Sequence, residues 1–538
     1  MRRPRSRSTH ARPATAQVVR RALCCLALLA GAATAQPLPE PVLQALQQAG
    51  VPAEALGVAV LPATPGALGR LAPRLQPQLL HQADRPMQPA STLKLLTSVV
   101  ALHQLGPNLR GFTELLTRAP QQGDVLAGDL VLRGGADPEL DLAQLWALLL
   151  QLRQVHGIRV IDGAVVIDRT LFRPSAPERE AQPFDEQPEF AYNLVPDALQ
   201  LNSHLLQVEI SSEGGAPRAR ALPPLPGLVI DAGALRLTDR PCAEWAKDWE
   251  SPPPADTSEP GVLRLRLQGG FPRGCVQRPS LFMLDPLALA ERQLRWLWTS
   301  LGGEWTGPLR EAEAPTVPLL GAAQQAPQRP GAAVVLPGVQ RGGQPAGLRL
   351  LASRQARPWG EVLRTLNKLS SNVDSRLLYL QLGVPAMADN PGQTTRALAD
   401  RAVRQWLAAQ RIAAPGLVLD NGSGLSRAER ITPRTLAQVL QAAHQGPWAS
   451  ELLMSLPLAG VDGTLRNRFT SGPASGQARL KTGLLRDVAS LAGVVRDPQG
   501  RPWVLAAFLN HPDAVAARPA LDALVEWVAG GGLGPAAR

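Results

Sequence analysis

Lysine is almost missing from this chain of 538 residues: of 55 Lys plus Arg, only Lys94, Lys247, Lys368 and Lys481 are lysine. Where a positive charge alone suffices, the sequence uses arginine. Arginine cannot lose its proton and lysine can, so each retained lysine is a candidate for proton chemistry, set against plain codon bias. Aromatics are also scarce at 4%, yet the 45% hydrophobic fraction, rich in Leu, Ala and Val, excludes a disordered chain. There are four cysteines. Cys24 and Cys25 lie in an N-terminal apolar run, which leaves Cys242 and Cys275. Neither has a Cys or His neighbour at metal spacing and no H-E-x-x-H occurs, so a metal site is not expected. No repeat period is visible, and the length has room for two to four domains.

The formal charge of +11 does not signal nucleic acid. Seven arginines and no acids fall within the first 35 residues, and without them 48 basic residues face 44 acidic ones, a net of +4. No long Lys/Arg run or basic patch with interleaved aromatics remains. The N-terminal segment has a basic region ending at Arg21, the apolar run "ALCCLALLAGAATA", and Ala33-Thr34-Ala35. This is the layout of a secretory signal peptide over residues 1–35, too short for a spanning helix. The expectation is an exported protein with no transmembrane anchor after cleavage. In an oxidising compartment Cys242 and Cys275 read as one disulfide, with two buried free thiols as the alternative.

Texture divides the rest. "VPAEALGVAVLPA" alternates like a strand, and "PASTLKLLTSVVALHQLG" reads as a helix closed by Gly106-Pro107. Short strands such as "GDLVLRGG", "GAVVIDR", "LLQVEISS" and "VLRLRLQGG" follow, with Pro-rich loops and a helix near 142–154. Past a Pro/Gly/Gln-rich passage at 321–346, helical patterns return at 360–382, 394–411 and 434–445. The end is a meander of "ARLKTGLL", "VASLAGVVRD" and "PWVLAAFLN", with a helix from about 517 to 529. This predicts an α+β fold, an antiparallel sheet flanked by helices, in segments 36–112 and 348–538, interrupted by β-rich inserted domains over 113–347.

Three lysines sit in or beside patterned motifs. Ser91 precedes Lys94 by three, so hydroxyl and amine share one helical face, and a neutral lysine can take the serine proton. Lys368 stands in "LNKLSSNVDSRLL", where Ser370 and Asn372 form S-x-N between two helical patterns. Lys481, Thr482 and Gly483 form K-T-G inside a strand: lysine for positive potential, threonine for a hydroxyl, glycine for close approach of a ligand backbone. Leu480, Leu484 and Leu485 suit a buried sheet.

S-x-x-K, S-x-N and K-T-G in this order resemble penicillin-binding proteins and serine β-lactamases, and imply their transpeptidase-like domain. The 279 residues from Ser91 to Ser370 exceed what a β-lactamase has room for. They resemble the class C low-molecular-mass penicillin-binding proteins of the penicillin-binding protein 4 type, which carry inserted domains there. "GDLVLRGGADPEL", "DNGSGLSRAERITP" and "LPLAGVDGTLRNRF" are similar to that family, and a Cys242–Cys275 disulfide suits it. The resemblance implies a serine D-alanyl-D-alanine carboxypeptidase and DD-endopeptidase acting on peptidoglycan peptide stems. A periplasmic location and covalent inhibition by β-lactams go with it, and no cofactor is implied.

By motif, Ser91 would be the nucleophile and Lys94 its base. Ser370 would relay the proton and Asn372 would hold the acyl-side amide. Lys481 and Thr482 would bind the terminal carboxylate, and backbone N–H groups of Ser91 and Leu484 would form the oxyanion hole. Leu484 departs from the family, which usually has Ser or Thr after K-T-G, so one carboxylate contact is expected to be missing. A catalytically feeble peptidoglycan-binding protein is the alternative of another class, and a β-lactamase is the enzymatic one. An α/β-hydrolase is disfavoured because "DNGSGLS" is not G-x-S-x-G. Homo-oligomerisation is left open.

Overall fold

The computed structural model describes residues 37–64, 78–179, 182–317 and 347–534. The expected signal peptide at 1–35 and nearly all of the Pro/Gly/Gln-rich passage lie outside the described residues.

Helix α1 (Glu40–Gln48) leads into strands β1 (Leu56–Pro62) and β2 (Leu79–His81) and, after a 3-10 turn, into α2 (Lys94–Gln104). The chain then leaves for the insertion through β3 (Phe112–Thr117), β4 (Leu130–Gly135), α3 (Leu142–Gln154) and β5 (Val165–Asp168). A nested excursion contains β6 (Leu206–Ser211), β7 (Arg218–Leu222), β8 (Leu228–Thr238) and β9 (Leu263–Pro272). Helix α4 (Pro286–Ser300), β10 (Leu309–Glu311) and β11 (Arg349–Gln355) bring the chain back. Five helices follow: α5 (Trp359–Lys368), α6 (Asn372–Gln381), α7 (Thr395–Ala409), α8 (Pro433–Gln445) and α9 (Ala449–Ser455). The meander β12 (Ala478–Leu485), β13 (Val488–Arg496), β14 (Pro502–Asn510) and helix α10 (Arg518–Ala529) complete the chain.

The first lobe is the five-stranded sheet β12-β13-β14-β1-β2, antiparallel throughout. It is buried on both faces, which is why β13 and β14 read as almost continuous apolar runs rather than alternating ones. One face, including Ala492, Val494, Ala506 and Phe508, packs on α2 and α5 to α8. The other, including Val58, Val60, Leu491, Leu505 and Ala507, packs under α1 and α10. Strand β12 lies at the sheet's edge.

The second lobe is the mixed sheet β10-β5-β4-β3-β11 with α3 and α4 on its core. Strands β4 and β5 are parallel and α3 is their crossover. The helix expected near 142–154 occupies Leu142–Gln154, capped by Asp141 accepting from the Gln144 amide at 2.8 Å. Strand β11 lies beyond the expected insertion boundary at 347, yet it pairs antiparallel with β3. Entry and exit strands of the insertion thus close side by side, and residues 348–355 belong to the second sheet.

The third lobe has its own core, with Val208, Ile210, Leu265, Leu267 and Phe271 at its centre. The Cys242–Cys275 disulfide spans 33 residues within it. Beneath it, buried Arg169 donates to Asp197 at 2.5 Å and His204 contacts the same carboxylate at 3.2 Å. Replacing both cysteines (Cys242→Ala with Cys275→Ala) should lower the third lobe's stability by roughly 3.7 kcal/mol, the loop-closure value for this span of 33 residues. Denaturant unfolding followed by hydrogen exchange should show β8 and β9 opening earlier while β13 and β14 keep their protection.

Candidate active site

The segment "PASTLKLL" enters its helix through the 3-10 turn Ala90–Leu93. Ala90 sits at φ 46°, a left-handed conformation that costs an alanine energy and turns Ser91 to the cleft side. Lys94 is completely buried at the start of α2. Its Nζ lies 2.9 Å from Ser91 Oγ, 2.7 Å from Asn372 Oδ1 and 2.5 Å from the Ser423 carbonyl. A protonated amine donates to all three. A neutral amine has two N–H groups and one lone pair, and two of the three neighbours can only accept. Those two take the N–H groups, and the lone pair faces the Ser91 hydroxyl. Burial first, and then the charge of Lys481, holds the Lys94 pKa well below the ordinary lysine value. Lys94 therefore has the geometry that an S-x-x-K site needs, and its surroundings favour loss of its proton.

Helices α5 and α6 break at residues 369–371, as the S-x-N reading expects. Ser370 adopts φ 61°, and Ser371 caps α6 by accepting from the Asp374 amide at 3.2 Å. The break sends Ser370 Oγ to the Nζ of Lys481, 2.7 Å away. Lys481 is also fully buried and donates to the Thr482 carbonyl at 2.8 Å. Burial pushes its pKa down to about 7. Lys481 therefore orients Ser370 from within the protein, where the sequence reading placed its charge on a substrate carboxylate. Asn372 is hydrogen-bonded on both sides of its amide. Its Oδ1 accepts from Lys94 and its Nδ2 donates to the Tyr192 carbonyl at 3.1 Å, so a protein carbonyl occupies the donor assigned to the acyl-side amide.

On edge strand β12, Gly483 is needed by the protein's own packing. A Cβ there would come within 2.2 Å of Ser490 Oγ and 2.9 Å of the Ser91 backbone N. The glycine brings the strand against the Ser91 backbone, rather than admitting only a ligand. Leu484 corrects the expectation of a buried sheet residue: it is 50% exposed, because β12 is an edge strand with no further strand beyond it. Thr482 donates its hydroxyl to Thr464 Oγ1 at 2.9 Å. Lys368, beside the S-x-N motif, is engaged elsewhere, with Asp462 at 2.5 Å and the Leu456 carbonyl at 3.0 Å.

The structure thus gathers Ser91, Lys94 and Asn372 into one hydrogen-bonded group and Ser370 with Lys481 into a second, with Thr482, Gly483 and Leu484 following Lys481 on β12. Sequence reasoning missed Ser423, Tyr192, Thr464 and Glu429. Ser423 and Glu429 lie in "DNGSGLSRAERITP", whose one interior acid among glycines and serines was the available signal. Tyr192 gave none, since it acts through its backbone on a segment from the insertion.

A buried lysine whose pKa is pushed down to about 7, as for Lys481, weakens the fold. Unfolding returns Lys481 to its ordinary value of 10.5. Between about pH 7 and 10.5 the unfolded chain binds more protons than the native one, so stability rises with pH in that window. Lys481→Met should raise Tm by a few degrees at or below pH 7 and by progressively less towards pH 10, while abolishing turnover. A lower Tm at pH 7 would contradict this.

The model of the D-Ala-D-Ala carboxypeptidase 3 (S13) family matches residues 72–327 and 329–530. A D-alanyl-D-alanine carboxypeptidase of Actinomadura sp. (strain R39) is 28% identical over 425 residues, 77% of this chain and 71% of the relative. The D-alanyl-D-alanine carboxypeptidase DacB of Haemophilus influenzae is 26% identical over 439 residues, 79% of this chain and 80% of the relative. The crystal structure of penicillin-binding protein 4 from Haemophilus influenzae superposes with a TM-score of 0.67 at 22% identity. It covers 89% of this chain and 98% of that one, so the α+β architecture with its insertions is shared. With both segments of its family model matched and its S-x-x-K, S-x-N and K-T-G side chains converging, the chain belongs to the D-Ala-D-Ala carboxypeptidase 3 (S13) family.

Proposed function

We propose that the first lobe is a serine DD-carboxypeptidase and DD-endopeptidase working through an acyl-enzyme at Ser91. The observation that carries this is the buried Lys94 amine, whose three neighbours leave its lone pair for the Ser91 hydroxyl. Lys94 takes the Ser91 proton as Oγ attacks the carbonyl between two D-alanines, or that of a D-alanyl cross-link. Charge developing on the carbonyl oxygen is met by the backbone N–H groups of Ser91 and Leu484, donors that together contribute several kcal/mol. Ser370, held by Lys481, passes a proton to the leaving amine, and water then releases the acyl group. The substrate's acyl-side amide takes the place of the Tyr192 carbonyl on Asn372 Nδ2. The substrate carboxylate lies by Thr482, where Lys481 contributes potential rather than contact.

The N-terminal layout supports export to the periplasm, where peptidoglycan stems are the substrate and β-lactams acylate the same serine. No helix among the described residues is long and apolar enough to cross a membrane. Mass analysis of muropeptides tests the activity: pentapeptide stems should lose one D-alanine and cross-linked dimers should split, with Ser91→Ala doing neither. Unchanged muropeptides with the wild-type enzyme would overturn the reading.

Leu484 carries a second expectation. A hydroxyl at this half-exposed position would add a hydrogen bond to a charged group, so Leu484→Ser should raise carboxypeptidase kcat/KM on a pentapeptide by about tenfold or more. Cross-link cleavage should change less. Steady-state release of D-alanine checks this, and no rise would remove Leu484 as a determinant of selectivity.

A further inference from the structure

Glu429 is completely buried, yet among the described residues no lysine or arginine is paired with it through a hydrogen bond. Its Oε1 accepts from the backbone amides of Asp420, Asn421 and Gly422 at 3.2, 3.0 and 2.8 Å, and its Oε2 from that of Gly424 at 2.9 Å. All four partners are donors, so they stabilise the carboxylate, while burial works against the charge and raises the pKa. The amides belong to one tight loop, and its carbonyls point the other way. Gly422 O accepts from Thr97 Oγ1 at 2.7 Å on α2 and from Ser375 Oγ at 2.9 Å on α6. Ser423 O accepts from Lys94 Nζ at 2.5 Å.

We propose that Glu429 is a positioning residue for the base: it folds loop 420–424 so that the Ser423 carbonyl occupies one N–H of Lys94, and it supplies negative charge to a site holding two buried amines. The first effect is geometric. The lone pair of Lys94 faces Ser91 only while two acceptors hold the two N–H groups. Asn372 is one, and Ser423, which Glu429 fixes through the adjacent amides, is the other. The second effect is electrostatic. Around Lys94, Lys481 and Arg376 favour loss of its proton, whereas Glu429 and Asp374 oppose it. Glu429 therefore opposes loss of the Lys94 proton, and removing its charge should move the acid limb of the reaction to lower pH. The inference rests on the reading of Ser91 and Lys94 as nucleophile and base.

The test is the pH dependence of the second-order rate constant for acylation by a fluorescent penicillin. Glu429→Gln, which removes the charge and at least one acceptor, should lower the plateau by roughly tenfold or more and shift the acid limb to lower pH by about half a unit or more. Glu429→Asp keeps the charge but withdraws it by one methylene. It should lower the plateau while leaving the acid limb near the wild-type position, and it keeps the proposal testable where the glutamine variant does not fold. Thr97→Val, which loosens the same loop without touching charge, should behave like Glu429→Asp. An unmoved acid limb in folded Glu429→Gln, an unchanged plateau in both Glu429 variants, or an acid limb displaced equally by Thr97→Val contradicts the proposal. Failure of the wild-type enzyme to be acylated at all would instead overturn the reading of Ser91 on which it rests.

Discussion

The arrangement depends on keeping an amine fully buried inside the protein at Lys94. An isolated ammonium there would be prohibitively costly, and a neutral amine still needs its N–H groups satisfied. Asn372 and Ser423 satisfy them from two elements far away in sequence, α6 and the loop before α8. The fold can bring these together only if α2, α6 and that loop pack as one body, which their shared apolar core provides. Catalytic competence and the packing of this lobe are thus one constraint. Disturbing any of the three elements leaves a buried donor unmatched.

Much of this was legible in the sequence because arginine replaces lysine almost everywhere else. Lys94 and Lys481 are completely buried, and Lys368 is partly buried, its side chain 14% exposed. Lys247, outside every motif, is largely exposed and paired with Glu244. The strands and helices of the first lobe were legible too, since β13, β14 and α8 carry strong apolar patterns and clear ends. What stayed hidden is what backbone atoms do. Ser423 acts through a carbonyl, Tyr192 through a carbonyl, and Glu429 through four amides, and no side-chain pattern encodes these directly. Leu484 misled for the related reason that a strand's apolar residue reads as core until the strand is known to be an edge.

The insertions act on the site through a small contact region. The segment around Tyr192 belongs to the excursion between β5 and β6, yet it reaches Asn372, and Arg376 on α6 donates to the carbonyls of Asn193 and Leu194. The second and third lobes therefore bear on the cleft through backbone carbonyls laid along α6, rather than by contributing a nucleophile or base. This allows a common acyl-transfer core to carry large additional lobes without altering the Ser91–Lys94 geometry.

The claim that the Lys94 amine activates Ser91 is tested most directly by peptide mapping with mass spectrometry after exposure to benzylpenicillin. The account predicts one penicilloyl adduct, on the peptide containing Ser91, formed by the wild-type enzyme and lost in the folded Lys94→Met variant. An adduct elsewhere, or undiminished acylation of Ser91 without the lysine, would contradict it.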